Sequence, residues 1–283
     1  MRLNPFNPGS INVRGGGGGF PGGGGGQLGC GAIVIALIGA LVFGIDPSQM
    51  LGGLQDVQQA GPAQPADSRS VQQICTQSQY ATDACNTLQS LNDTWAPIFQ
   101  KANIKFQPPA LDLYSGSDRS GCGAASSGMG PFYCPNDQTI YLDTSFYDEL
   151  DKKLGAGPGD FARYYVIAHE YGHHVQALTG VAQQISSAQQ QNPGEANQLS
   201  VLMELQADCY AGVWAGKNRN LIEPGDFEEG MKAAQAIGDD TLTHGSVSSE
   251  NFTHGSSQQR MQALRMGMES ADDAQCDKIV QRN

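Results

Sequence analysis

The stretch His169-Glu170-Tyr171-Gly172-His173 constrains this chain more than any other. It lies in a run from Asp160 to Gly180 where Phe161, Tyr164, Tyr165, Ala168, Val175 and Leu178 recur at helical spacing, which predicts one helix. Asp160 suits the N-cap, and Gly180 suits the left-handed residue that ends a helix. Residues one turn apart share a helix face, so His169 and His173 can aim two imidazole nitrogens at one zinc ion. Glu170 lies beside that face, where its carboxylate can take a proton from a water activated by the metal. Gly172 costs about 1 kcal/mol against Ala inside a helix; its presence implies close approach by a substrate or a packed neighbour. The competing account is a pair of core histidines satisfied by hydrogen bonds. The position of the motif on a well-bounded helix favours the metal. His174 faces about 100° away from His173 and reads as a structural or surface histidine.

Charge narrows the partners. The formal net charge is −12, which gives no electrostatic reason to expect nucleic acid. The chain has 7 cysteines. Cys30 lies in an apolar segment, and the remaining cysteines form an even set after it. An even set in an exported region reads as disulfides. Local spacing favours Cys75–Cys85 and Cys122–Cys134, which leaves Cys209 with Cys276. A cysteine-ligated metal is the alternative, but the sequence contains no C-x-x-C pair.

The chain divides by composition. Residues 1–27, with two runs of glycine, predict a disordered tail. Residues 28–45 are uncharged and apolar, just long enough to span a bilayer core as a single transmembrane helix. Arg2 and Arg14 precede this run and Asp46 and Asp56 follow it, which puts the N-terminus in the cytoplasm and the rest outside. No small-x-small cleavage site follows, so the run reads as an uncleaved membrane anchor. Residues 46–70 read as a flexible linker, and 71–283 as the folded domain.

Within the domain, Thr82 or Asp83 can cap a helix carrying Cys85, Leu88, Leu91, Trp95, Ile98 and Phe99, interrupted near its end by Pro97. Strand-like runs follow at 104–107, 111–114, 131–134 and 138–142, the last two joined by a turn at 134–137. By analogy with zinc peptidases of this general design, Thr139–Leu142 is expected to be an edge strand that pairs with substrate backbone. The Gln-rich stretch 182–191 reads equally as a polar helix or a loop. Residues 200–216 predict a strong helix with Glu204 and Asp208 one turn apart. Two carboxylates so placed in an apolar helix repel each other and need a cation or donors. Helices are also expected at 226–238 and 256–282.

The motif H-E-x-x-H followed on a second helix by E-x-x-x-D resembles the gluzincin arrangement. The wider ectodomain resembles a bacterial neutral zinc metallopeptidase family, through residues 130–135 (G-P-F-Y-C-P), 140–143 (I-Y-L-D), 169–176 (H-E-Y-G-H-H-V-Q), 204–212 (E-L-Q-A-D-C-Y-A-G) and 252–256 (F-T-H-G-S). The resemblance implies one Zn²⁺ per chain on His169, His173 and Glu204. It also implies Glu170 as general base, and Asp208 as acceptor for the far N–H of a ligand histidine. Glu195, beside Pro193-Gly194, lacks the helical support a ligand needs. The segment 253–260 is similar to the Thr-His-Pro…Arg segment of membrane-embedded zinc endopeptidases. His254 is therefore a candidate to stabilise the oxyanion, to cap the zinc in a resting form, or to serve structurally; His244 has weaker context.

The fold class expected is α+β: a mainly helical zincin-like domain with a small antiparallel sheet, preceded by the transmembrane helix. The activity expected is that of a membrane-anchored endopeptidase acting on protein or peptide substrates, its catalytic domain periplasmic or extracellular. Two rivals stand beside it: a zinc amidase acting on cell-wall peptides, and a non-catalytic envelope scaffold with structural zinc. Against the scaffold stand Glu170 and an open fourth coordination position.

Overall fold

The computed structural model describes residues 1–16, 68–152 and 159–281. Strand β1 (Asn12–Gly15) comes first, followed after the gap by helices α1 (Val71–Cys75) and α2 (Gln79–Lys101). Strands β2 (Ala110–Tyr114), β3 (Ser117–Ser120), β4 (Gly123–Ser126), β5 (Phe132–Cys134) and β6 (Thr139–Asp143) come next. Then come α3 (Phe146–Lys152), α4 (Asp160–Thr179), α5 (Val181–Gln191), α6 (Ala196–Lys217), α7 (Asp226–Ala236), α8 (Asp239–Leu242), α9 (Ser257–Ser270) and α10 (Asp273–Val280). The fold is mainly helical with small sheets, an α+β arrangement.

The principal sheet has the order β1-β2-β6-β5. It is mixed rather than antiparallel: β1, β2 and β6 run parallel, and only β5 runs antiparallel to its neighbour. Strands β3 and β4 form a separate antiparallel pair. The expected edge strand at 139–142 is an interior strand, because β6 is paired on both sides. The edge belongs to β5, flanked by Pro131 and Pro135, residues that donate no N–H and blunt an edge. Residues 104–107 form no strand.

Helix α4 is packed on α6, α2 and α7, and α6 in turn on α9 and α10. Gly172 explains the first of these crossings. A Cβ there would fall 2.8 Å from both Cα and O of Ala207, so the expected close approach is made by helix α6. Gly212 and Gly267 similarly leave room for each other's helix backbones where α6 meets α9. The Cys75–Cys85, Cys122–Cys134 and Cys209–Cys276 disulfides are all formed; the last ties α6 to α10.

Several ends differ from expectation. Gly159, not Asp160, is the N-cap of α4, while Gly180 ends it in the left-handed region at φ 81°. Ser78 caps α2 through its side chain, which accepts the Ala81 N–H; Asp83 lies inside the helix and pairs with Arg163 Nη2 at 2.8 Å. The Gln-rich stretch is a helix with one buried residue, Ile185. The expected final helix is two, broken at Ala271, which adopts φ 50°.

The largest difference is at the start of the chain. Residues 1–16 are not a disordered tail. Ile11 and Val13 are buried in the main core, and β1 adds a parallel strand beside β2. The Phe6 N–H donates to Asn86 Oδ1 at 2.9 Å. The Met1 ammonium donates to Asp226 Oδ1 at 2.7 Å and Asp160 Oδ1 at 3.0 Å. Alternating apolar residues in Ile11-Asn12-Val13 suffice for a short strand once a partner edge exists. The expected span at 28–45, with the rest of the tail and most of the linker, lies outside the described residues. Among the described residues, no helix is long and apolar enough to cross a membrane.

Candidate metal centre

Helix α4 brings His169 and His173 to one face, and the close crossing at Gly172 sets Glu204 of α6 opposite them. His169 Nε2 lies 3.1 Å from Glu204 Oε2, and His173 Nε2 lies 3.4 Å from Glu204 Oε1. Ligand atoms of these three residues all fall within 4.8 Å of one another.

The far nitrogens are held. His169 Nδ1 is 2.8 Å from Asp208 Oδ1; a carboxylate accepts, so Nδ1 donates. His173 Nδ1 donates to Gln176 Oε1 at 2.9 Å. Gln176 is itself oriented, since its amide N–H groups donate to Met203 O at 2.8 Å and Gln206 Oε1 at 3.0 Å. Both neutral rings then turn Nε2 lone pairs towards the Glu204 carboxylate. Acceptors facing acceptors repel unless a cation lies among them. Two imidazole nitrogens and one carboxylate oxygen are a donor set that fits zinc.

Without a cation, the same demand for positive charge falls on His169. Burial alone would lower its pKa, but Asp208 and Glu204 outweigh it and push the ring up to about 10. Burial alone would raise Glu204; the neighbouring His173, His169 and His254 outweigh it and hold the carboxyl well below its usual range. Glu170 has no such partner set. Burial, with the Glu204 charge adding to it, pushes its carboxyl up to about 7 against the pull of His169 and Arg260. A carboxylate near that value is poised to accept and return a proton.

Asp208 is fully buried and has more partners than the sequence indicated. Tyr165 Oη donates to its Oδ1 at 2.6 Å. Arg260 holds it through Nε to Oδ2 at 2.8 Å and Nη2 to Oδ1 at 2.9 Å. Burial would raise the Asp208 carboxyl, and Arg260 and His169 more than reverse this.

His254 is buried near the same centre. Its Nδ1 lies 2.9 Å from Asp239 Oδ1, while Asp239 Oδ2 accepts the backbone N–H groups of Thr253, His254 and Gly255. Its Nε2 is buried and has no hydrogen-bond partner. His244 sits in a turn at φ 50° and is exposed. Glu195 is exposed in a short 3₁₀ turn. His174 is fully buried on the other side of α4. Gln176, Tyr165, Asp239 and the role of Arg260 were not legible beforehand. The one sequence signal was the presence of Gln176 and Arg260 inside the recognised segments.

The family model described as "Putative neutral zinc metallopeptidase" matches residues 7–279. The chain belongs to this family. An uncharacterised Escherichia coli (strain K12) protein, YpfJ, is 52% identical over 196 residues, covering 67% of this chain and 68% of that protein. An uncharacterised Mycobacterium tuberculosis protein, Rv2575, is 41% identical over 203 residues, covering 66% of this chain and 67% of its own length. No solved structure matches the chain. Family membership accords with the zinc-type donor set, and the match begins within the N-terminal segment that packs on the domain.

Proposed function

We propose that the chain is a zinc-dependent endopeptidase with His169, His173 and Glu204 as metal ligands and Glu170 as general base. The observation that carries this reading is the convergence of those ligand atoms with a buried carboxyl raised to about 7 beside them. Zinc bound there supplies Lewis acidity towards a carbonyl oxygen and lowers the pKa of a ligand water. Glu170 takes a proton from the attacking water as its oxygen joins the scissile carbonyl carbon. It then delivers that proton to the amide nitrogen as the C–N bond breaks, leaving a carboxylate and an amine. Asp208 and Gln176 keep the ligand rings in the tautomer that presents Nε2. In its doubly protonated form, with Nδ1–H held by Asp239, His254 is proposed to donate from Nε2 to the oxyanion that forms during attack. A protein or peptide substrate is proposed to lie along the free edge of β5, the strand that adjoins Glu170.

The compartment is part of the proposal. Three disulfides support an oxidising location outside the cytoplasm. The apolar run at 28–45 supports membrane attachment. Residues 1–16 share one packed body with helix α4, which supports placing the N-terminus in the same compartment as the domain.

The test is metal analysis of the purified protein with a proteome-derived peptide cleavage assay, run beside Glu170→Gln. The variant is expected to bind zinc as the wild type does and to lose about 10²–10⁴-fold in turnover, the usual worth of a general base. Wild-type turnover in Glu170→Gln would sink the mechanism.

A further inference from the structure

The α-amino group of Met1 lies inside the protein. The Met1 side chain belongs to the main core, and the residue is 1% exposed. Its ammonium donates to Asp226 Oδ1 at 2.7 Å and to Asp160 Oδ1 at 3.0 Å, with Glu223 Oε2 3.8 Å away. Asp226 is buried and is itself oriented, because its Oδ2 accepts the Glu223 backbone N–H at 2.6 Å. The Arg2 backbone N–H donates to Leu221 O at 2.7 Å. Met1 is thus held by its side chain, by its amine and by the residue that follows.

Asp160 and Asp226 stand in the first turns of α4 and α7, and neither helix has a side-chain cap. Helix N-termini repel positive charge, so an ammonium settles between two of them only where carboxylates outweigh the repulsion. The carboxylates need the ammonium in turn. Oxygens of Asp160, Asp226 and Glu229 all fall within 4.8 Å of one another, and like charges so close repel strongly where water is scarce. Glu229 Oε2 accepts the Phe161 N–H of α4 at 3.2 Å, so one acid of the group serves the helix and two serve the amine. Burial alone would lower the pKa of the ammonium; the bonds to Asp226 and Asp160 outweigh it and raise the value. An acyl group on the nitrogen, formyl or acetyl, would remove the charge and leave one N–H for two carboxylates. It would also add atoms where the residue is already enclosed.

We propose that Asp160 and Asp226 form a receptor for the α-ammonium of Met1, so that a free amine on this residue is a structural part of the domain that carries the metal helix. The receptor does not depend on the peptidase reading. No lysine can stand in, because only an α-amine sets its charge and a core side chain on one carbon. A chain that carries an N-formyl group must lose it before docking. Water attacks the formyl carbon, the C–N bond breaks, formate leaves, and the amine keeps the released proton. Hydrolytic deformylation is therefore the class of reaction that completes this fold.

Two measurements on the full chain test it. In the first, the purified protein is treated with an amine-acylating reagent at neutral pH, folded and in urea. Modified peptides are quantified by mass spectrometry, with the exposed Lys232 on α7 as internal control. The Met1 amine is expected to react at least about tenfold more slowly in the folded protein than in the unfolded chain, as for a group reached only by local opening. Lys232 is expected to react alike in both. In the second, the chain is produced in a bacterium whose peptide deformylase is inhibited, so that formyl-Met1 is retained. Its unfolding equilibrium constant is expected to rise about 100-fold or more, as when one partner of a buried ion pair is removed. Asp226→Asn and Asp160→Asn are expected to bring Met1 acylation towards the unfolded rate. Arg2→Ala, which removes only an exposed pair with Glu223, is expected to leave the amine protected. Acylation of folded Met1 at the unfolded rate would overturn the proposal, as would a wild-type urea midpoint for the formylated chain. N-terminal sequencing that finds a residue before Met1 would also overturn it. So would equal deprotection by Arg2→Ala and Asp226→Asn, since docking of the segment rather than the amine contact would then set the protection. If Asp226→Asn does not fold, Asp160→Asn carries the variant arm, because the Asp160 carboxyl is half-exposed.

Discussion

Arg260 holds Asp208 by both ends, with Nε 2.8 Å from Oδ2 and Nη2 2.9 Å from Oδ1. The pair lies wholly inside the protein, between α9 and α6. Asp208 also receives His169, so a residue far along the chain sets the geometry of a metal ligand. Lysine cannot reproduce a planar two-donor fork. Arg260→Lys is therefore expected to weaken zinc retention about 10–100-fold in a chelator series. Arg260→Met removes the charge and leaves Asp208 buried without its partner, at a cost of about 3–5 kcal/mol in a urea titration. A wild-type chelator midpoint in both variants would remove Arg260 from the metal site.

Glu204 and Asp208 stand one turn apart on α6 but have different roles. Glu204 faces both Nε2 atoms, whereas Asp208 faces Nδ1. Glu204→Ala is expected to leave the protein with little zinc after dialysis. Asp208→Ala is expected to bind zinc about 10–100-fold more weakly, but measurably. The opposite order in the same chelator series would reverse the two assignments.

Asp112 links the sheet to pH. Burial, then the Asp118 charge, pushes its carboxyl up to about 7, against the pull of Arg14. The folded state thus holds a proton that the unfolded chain releases near pH 4. Between about pH 4 and 7 the folded state binds more protons, so this group's contribution to stability falls as pH rises through that window. Asp112→Asn stays uncharged throughout. Its stability relative to wild type is expected to improve between about pH 5 and 8 by on the order of 1–3 kcal/mol. Urea midpoints across that range measure the gap, and a gap independent of pH would contradict the assignment.

The N-terminal segment makes a separate prediction. Ile11 is 7% exposed and belongs to the main core. Ile11→Ala is expected to cost about 2–4 kcal/mol, as for a buried aliphatic side chain. Substitution in a disordered tail costs nothing, so an unchanged melting curve would detach residues 1–16 from the domain.

The sequence by itself determined what depends on spacing along one helix or on local chain closure. His169 and His173 share a face because 3.6 residues make a turn, and Glu170 follows from their order. Glu204 and Asp208 stood out because two carboxylates in an apolar helix need a compensating cation or donor; which of them faces the metal was implied only by the resemblance to the gluzincin arrangement. The cysteine pairs followed from proximity in sequence and from elimination. Tertiary structure alone decided which donors come from elsewhere. Arg260 reaches Asp208 across the α6–α9 crossing, and Gln176 is oriented by Met203 and Gln206 on the facing helix. The position of β6 inside the sheet, and so the transfer of the edge to β5, depended on β2 pairing with it in parallel. That pairing joins strands distant in sequence, and periodicity does not specify which strands become neighbours. Residues 1–16 read as a tail for the same reason: a short strand beside a glycine run gains its stability only from the edge of β2, and only the folded protein provides that edge.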